Sequence, residues 1–125
     1  MSWTDDELTR IGDATELQLA SRRPDGTLLP YTTMWVVRVG DGLYVRSAGG
    51  PRRPWYRHAL ASGTGRIRAD GMERDVTFGE ADPSAHDAID TTYHAKYDRY
   101  GPGPVSHVTG PKAHPVTIHL VRNEP

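Results

Sequence analysis

Six arginines and no acidic residue fall within residues 43–69 of this sequence. The whole chain, by contrast, is balanced, with 15 Lys and Arg residues against 16 Asp and Glu residues. Solvated surfaces usually mix both signs of charge, so the missing acids concentrate positive charge on one stretch. Arginine presents a planar fork of donors that grips a phosphate or a carboxylate in two places. The window therefore predicts the anion-binding part of a binding site.

Four of the six arginines lie between the end of a predicted strand and the start of a predicted helix. They are Arg46, Arg52, Arg53 and Arg57, with Ser47 and the pair Gly49-Gly50 among them. Backbone N–H groups of a glycine loop and of a helix start add donors for an anion. The two remaining arginines, Arg66 and Arg68, fall two apart on the next predicted strand and are expected to be structural.

A flat ligand needs a wall as well as an anion grip, and the aromatic residues supply candidates. Alternate residues of a strand face the same side, so Tyr31, Thr33 and Trp35 are expected to line such a wall together. Trp55, at the start of the predicted helix, lies beside the arginine loop. The intervening residues of the strand are expected to face the core.

The elements that must position these residues are short and joined by turns. Pro24-Asp25-Gly26 and Gly40-Asp41-Gly42 are typical turn sequences. The pattern predicts helices at 1–13, 55–62 and 82–100, and strands at 16–21, 28–39, 43–47, 65–69, 73–79 and 116–122. Because hairpins join most of these strands, the sequence predicts one mainly β (α+β) domain over residues 1–125. We expect an antiparallel, six-stranded, closed or nearly closed barrel with two or three small helices.

Composition excludes several classes of protein. The chain has no cysteine, and its net charge of −1 does not fit a general nucleic-acid binder. No run of about 18 apolar residues is present, and the acidic start lacks a leader-like apolar segment. We therefore expect a cytoplasmic protein without a membrane or nucleic-acid partner.

The histidines offer weaker candidates. His86, Asp90 and His94 share one face of the predicted helix, and two histidines four apart can bind zinc. Without cysteines or an H-E-x-x-H pattern, however, no metal site is expected. His107 falls in a loop flanked by Gly and Pro, where it could reach the site of a second copy of the chain.

Residues 15–60, TELQLASRRPDGTLLPYTTMWVVRVGDGLYVRSAGGPRRPWYRHAL, resemble the front half of the flavin-binding split barrels, the superfamily of pyridoxamine-phosphate oxidase. The matching features are Asp25-Gly26, then Pro30, Thr32, Thr33 and Trp35, then Arg46-Ser47, then the helix with Trp55 and Arg57. The stretches GRIRADGMERDVTF and HVTGPKAHPVTIHLVRN resemble one uncharacterised bacterial branch, so the resemblance spans residues 14–122.

The resemblance implies a split β-barrel that binds FMN or a deazaflavin at a homodimer interface. Arg46 and Ser47 would contact the cofactor phosphate, aided by Arg52, Arg53 and Arg57. The implied function is a flavin- or deazaflavin-dependent oxidoreductase acting on a small organic substrate. Two alternatives stay open: a non-redox module that binds an anionic metabolite, and a cofactor-free biosynthetic enzyme using the same cleft. In the last case Tyr97 and His107 would be the acid/base candidates.

Overall fold

Seven antiparallel strands form one curled sheet in the computed structural model, which describes residues 2–123. The strands are β1 Leu17–Ser21, β2 Thr32–Met34, β3 Val37–Val39, β4 Gly42–Arg46, β5 Thr64–Ala69, β6 Met72–Gly79 and β7 Thr117–Arg122. The helices are α1 Asp5–Asp13, α2 Pro54–Ser62, α3 His86–Tyr97 and α4 Pro102–Ser106. Their order in the sheet is β2-β1-β5-β6-β7-β4-β3. The mainly β, antiparallel split barrel expected from the sequence is confirmed, and the curled sheet forms a half-barrel.

The strand count differs from the expected six because the predicted strand 28–39 is broken in two. β2 and β3 lie at opposite edges of the sheet, although only Trp35 and Val36 separate them. The Tyr97 hydroxyl accepts from the Val36 amide at 3.1 Å, and the Lys96 side chain donates to the Val36 carbonyl at 2.7 Å. Side chains of α3 therefore satisfy the backbone groups that a continuous strand would have paired, and the chain crosses the split in the barrel there.

The helices begin and end close to their predicted positions. The helix predicted at 1–13 begins at Asp5, where Thr4 and Glu7 form a capping box, and Met1 lies outside the described residues. Gly63 ends α2 at a φ of 76°. The helix predicted at 82–100 consists of α3 between two 3₁₀ turns, Pro83–Ala85 and Asp98–Tyr100.

A fourth helix was not expected, since Gly101–Pro104 reads as a helix stop in the sequence. Gly101 has a φ of 100°, which ends the preceding turn. Pro102 then occupies the first position of α4, where its missing N–H costs nothing. The same Gly-Pro sequence that stops one helix therefore starts the next.

Two apolar clusters hold the sheet and the helices together. The larger fills the curl of the sheet beneath α1 and α2, with Leu43, Val45 and Val76 fully buried. The smaller joins α3 to β3 and β4 through Ile89 and Tyr93. Among residues 2–123, no helix has the length and apolar character needed to cross a membrane.

Removing the Tyr97 hydroxyl tests the bridge across the split. We expect Tyr97→Phe to lower the free energy of unfolding by about 1–3 kcal/mol, because it leaves the buried Val36 amide without its acceptor. Urea unfolding measures the change, with exposed Tyr100→Phe as the matched control. Equal stabilities of the two variants would contradict this role.

The low pKa of Glu7 predicts that the free energy of unfolding falls at acid pH. Burial by itself raises the pKa of Glu7, but hydrogen bonds from the Thr4 backbone, Arg74 and Arg122 outweigh it and lower the pKa to about 2. Because the folded pKa lies below the unfolded one, this stabilisation is complete above about pH 4.5 and is lost as the pH falls toward 2. Its size is about 2–3 kcal/mol.

We expect Glu7→Gln to be less stable than the parent at pH 7 and to lose less stability between pH 4.5 and pH 2. Urea unfolding at several pH values gives both quantities. Asp5→Asn, in the same first turn but exposed, is the control. If the Glu7→Gln variant keeps the full acid dependence of the parent, Glu7 is not its source.

Candidate functional site

A cleft of about 820 Å³ opens beside the split of the barrel. One wall is the edge strand β2 with Trp35, and the second is the loop between β4 and α2 together with the start of α2. The third wall is the segment 103–108, from α4 into the following loop. The cleft is lined mainly by apolar surface, with Arg46 and Arg53 as its two arginines. This volume and lining are typical of small-molecule sites, which range from about 300 to 1,000 Å³.

The β2 wall corrects the expected alternation of residues. Thr33 and Trp35 line the cleft as expected, but Thr32 and Met34 line it too, so the cleft reaches both faces of this edge strand. Tyr31 does not contribute to the wall. Its ring lies 4.1 Å from the guanidinium carbon of Arg68 on β5, where a cation–π contact holds it.

Trp35 is held in place by its aromatic neighbours. Its ring stacks on Tyr97 with a centroid distance of 4.1 Å and an interplanar angle of 6°. Trp55, on the opposite side, is half-buried and packs edge-on against Tyr56, with ring centroids 5.8 Å apart. Two indoles therefore border the cleft from different elements.

The arginines predicted to bind an anion at the loop between β4 and α2 do not all border the cleft. Arg53 lines the cleft and lies across Gly49, where an added Cβ would come within 1.7 Å of the Arg53 Nε atom. The side chains of Arg52, Arg53 and Arg57 make no hydrogen bond or ion pair to any part of the described chain. Of these three, only Arg53 borders the cleft, and α2 begins at this loop without a side-chain cap.

Ser47 shapes this loop from within. Its side chain is buried, and its hydroxyl donates to the Gly50 carbonyl at 2.6 Å. The Gly50 amide donates back to the Ser47 carbonyl at 3.0 Å. Ser47 therefore fixes the turn that carries Gly49, rather than presenting a free hydroxyl to the cleft.

Arg46 differs most from its predicted role as a free phosphate ligand. Arg46 is 2% exposed, and its guanidinium donates to groups of the protein itself. It donates to the Asp90 carboxylate, to the Val108 carbonyl at 2.8 Å and to the Thr117 hydroxyl at 2.8 Å. A buried cation requires such a partner, and the sequence window contains no acid to provide it.

The acid that neutralises Arg46 comes from α3 and also anchors the third wall. Asp90 Oδ2 accepts from the Gly110 amide at 3.2 Å and lies 3.1 Å from His114 Nε2. Burial raises the pKa of Asp90, but the hydrogen bonds from Arg46, His114 and Gly110 outweigh it and hold the pKa below its ordinary value. One carboxylate therefore links the end of β4 to the loop that follows α4.

Two histidines complete this cluster. His86 stacks on His114 with ring centroids 4.5 Å apart, and His86 Nδ1 lies 3.3 Å from Arg46. Burial, the neighbouring His114 and the Arg46 charge all lower the pKa of His86. Neutral His86 can accept a hydrogen bond from Arg46, which fits a structural role beside a fixed cation.

The four-residue spacing of His86, Asp90 and His94, which suggested a metal site, accounts for only part of this cluster. His86 and Asp90 do share a face of α3, but His94 turns away and lies 2.8 Å from Asp98. Within residues 2–123, no three His, Asp or Glu side chains are arranged to hold a metal ion.

The two acid/base candidates lie in different environments. Tyr97 is fully buried, and its hydroxyl donates to the Thr15 carbonyl at 2.7 Å. Burial raises the pKa of Tyr97 to about 12, and the residue does not line the cleft, so its role is structural. His107 is exposed and lines the third wall.

The sequence did not identify every residue of the cleft. Glu16, Met34, Gly103, Pro104 and Val108 line it without having been predicted. The Gly and Pro residues at 101–104 predicted a loop, but nothing in the sequence shows that this loop lies at the cleft.

The curled antiparallel sheet, split between β2 and β3 and covered by short helices, has the fold of the flavin-binding split barrels. Three solved structures show the likeness. An F420 reductase matches with a TM-score of 0.58 and 20% identity, covering 93% of this chain and 92% of its own. A provisionally named pyridoxamine 5'-phosphate oxidase from Listeria innocua matches with a TM-score of 0.64 and 16% identity, over 96% and 93% of the two chains. A FAD-binding protein from Mesorhizobium loti matches with a TM-score of 0.53 and 14% identity, over 99% and 93%.

Within that fold the chain belongs to the DUF2255 family, described as an uncharacterized protein conserved in bacteria, whose model matches residues 7–120. The resemblance to an uncharacterised bacterial branch of the split barrels is thereby confirmed. A search of curated proteins gave no match.

Removing the Asp90 charge tests how strongly Arg46 depends on it. We expect Asp90→Asn to lower the free energy of unfolding by about 3 kcal/mol or more, because a fully buried guanidinium loses its counter-charge. Asp87→Asn, an exposed acid on the same helix, should change it by less than about 0.5 kcal/mol.

The double variant Arg46→Met/Asp90→Asn separates an unpaired cation from simple loss of packing. Because the cation is gone, the double variant should recover much of the stability that Asp90→Asn loses. Additive destabilisation in urea unfolding would contradict the assignment.

Proposed function

We propose that the cleft binds a flavin-type cofactor and that the protein is an oxidoreductase acting on a small organic substrate. The observation that carries this proposal is the placement of Arg53. Arg53 lines the same cleft as Trp35 and Trp55, and its side chain makes no hydrogen bond or ion pair within residues 2–123. A charged group with free donors beside apolar walls fits a ligand that is flat and anionic.

The walls of the cleft fit the ring of such a cofactor. Tyr97 supports Trp35 in a fixed orientation, and Met34 and Trp55 add apolar surface at the same cleft. Thr32 and Thr33 bring hydroxyl and backbone groups that can hydrogen-bond to ring oxygens and nitrogens. The cleft volume of about 820 Å³ leaves space for a second, small molecule beside a ring.

The loop between β4 and α2 fits the anionic end. Arg53 supplies charge, and α2 begins there without a side-chain cap, so N–H groups of its first turn remain available. Gly49 allows the Arg53 side chain to cross the loop closely. Arg46 and Ser47 do not contact the ligand. They position this loop and the segment 107–117.

The neighbouring solved structures favour a cofactor of this kind, since they include an F420 reductase and a FAD-binding protein. When bound, a flavin or deazaflavin would supply hydride transfer, and this chain would bind and orient both reactants. His107, exposed on the third wall, is the candidate for holding or moving a proton. FMN and a deazaflavin are both retained as candidates, and a second copy of the chain is expected to cover the open side of the cleft.

Titration with each cofactor tests the proposal. FMN, FAD and a deazaflavin are added separately, and binding is followed by cofactor fluorescence and by the melting temperature. We expect at least one to bind, and Arg53→Gln to weaken that binding by about 10- to 100-fold, because it removes a charged hydrogen bond. Arg57→Gln removes a cation of the same helix that does not border the cleft, and should change the affinity less than threefold.

Two results would contradict the proposal. One is no binding of any of the three cofactors at high micromolar concentration. The other is equal weakening by Arg53→Gln and Arg57→Gln, which would indicate only general attraction to positive charge. Stabilisation by a phosphorylated or carboxylated metabolite, without cofactor binding, would instead support the non-redox alternative.

A further inference from the structure

The ring of His86, the first residue of α3, lies where three parts of the chain meet. Its Nδ1 atom is 3.3 Å from a guanidinium nitrogen of Arg46 at the end of β4, and its face stacks on His114 with ring centroids 4.5 Å apart. His114 Nε2 lies 3.1 Å from the Asp90 carboxylate, which also pairs with Arg46. Neither imidazole lines the cleft, so the proposed cofactor site uses neither of them directly.

The contact between His86 and Arg46 requires a neutral imidazole. A guanidinium has only donors, so its nitrogen can make a hydrogen bond to Nδ1 only if Nδ1 carries no proton. Neutral His86 therefore keeps its proton on Nε2. Protonation of Nδ1 would set two N–H groups against each other and place a second positive charge beside the buried Arg46. The observed arrangement is thus compatible with only one charge state of His86.

The groups that face His86 from each neighbouring element agree with this geometry. Burial, His114 and Arg46 lower the pKa of His86, and Asp90 and Asp87 on α3 oppose them without reversing the direction. The folded state therefore binds a proton at His86 less readily than the unfolded chain does. As the pH falls below about 6.5, the unfolded chain takes up this proton first, so the arrangement with neutral His86 loses stability.

We propose that His86 is a positioning residue whose protonation in mildly acidic solution releases the loop that follows the third wall of the cleft. The protonated ring is repelled by Arg46 and leaves the cluster. Solvent is within its reach, because His86 is only partly buried at the start of α3. When it leaves, His114 loses its stacking partner, and the loop that ends at His114 is held less firmly.

The same cluster connects this release to the cleft. Val108 lines the cleft, and its carbonyl accepts from Arg46 at 2.8 Å. Two residues later, the Gly110 amide donates to Asp90 at 3.2 Å. A change in the cluster therefore reaches the third wall through two hydrogen bonds. Weaker cofactor binding at acid pH would follow and rests on the proposed function, whereas the release of the loop does not.

An NMR titration of the parent chain without ligand, from pH 7.5 to pH 5, tests the proposal. The imidazole signals report the protonation of His86, and the Val108 and Gly110 amide signals report the loop. We expect His86 to titrate below about pH 6.5 and both amide signals to move with its midpoint. Solvent exchange of the Gly110 amide, corrected for the intrinsic effect of pH, should rise about tenfold. Loop amides that stay unchanged while His86 titrates, or a midpoint above that of an unfolded histidine, would overturn the proposal.

Two variants assign the response to His86. His86→Gln offers Arg46 an amide oxygen that does not titrate, so the loop signals should lose their pH response between pH 7.5 and pH 5. His94→Gln removes an exposed histidine of the same helix and should keep the full response. A full response in folded His86→Gln would show that another group causes it. The parent titration remains decisive if His86→Gln does not fold, and no readout depends on cofactor binding.

Discussion

A guanidinium buried at the end of β4 must be neutralised, and much of the arrangement around the cleft follows from that requirement. Arg46 cannot remain an uncompensated charge in an interior position, and Asp90 reaches it from α3. The same carboxylate binds Gly110 and His114, so the ion pair also fixes the loop after α4. Since that loop continues from the third wall of the cleft, a structural ion pair helps to set the shape of the candidate binding site.

A second constraint operates where the chain crosses from one edge of the barrel to the other. Val36 belongs to neither edge strand. The Tyr97 hydroxyl accepts from its amide, and the Lys96 side chain donates to its carbonyl. The crossing also stacks the Trp35 ring on the Tyr97 ring, and this stacking fixes the orientation of Trp35. Helix α3 therefore provides the acid for Arg46, the hydroxyl for Val36 and the support for Trp35. Its packing against the barrel therefore supports Trp35 at the cleft and, through Asp90, the loop that follows the third wall.

The sequence predicted the local features well, because turns, caps and strand patterns depend on near neighbours. The hairpin at Gly40-Asp41-Gly42 joins β3 to β4 as expected, and the helix predicted at 55–62 is found at Pro54–Ser62. The break of the predicted strand 28–39 could not be read locally, since its cause lies 61 residues away at Tyr97. The same holds for the arginine window, which contains no acid for Arg46, Arg66 or Arg68. Asp90 supplies that acid for the first, and strand β6 supplies Asp75 and Glu73 for the other two. Arg53 is the member of the window that the structure leaves at the cleft with free donors.

We propose above that a flavin-type ligand binds in the cleft lined by Trp35 and Trp55. The chain has three tryptophans, and the third serves as an internal reference, because the Trp3 indole is buried and donates to the Leu120 carbonyl at 2.9 Å. The most direct measurement is a ¹H–¹⁵N NMR titration of the three indole N–H signals with FMN and with a deazaflavin. We expect the Trp35 and Trp55 signals to shift in a saturable way while the Trp3 signal stays in place. Saturable binding that leaves both cleft indoles unmoved, or that shifts Trp3 alone, would contradict it.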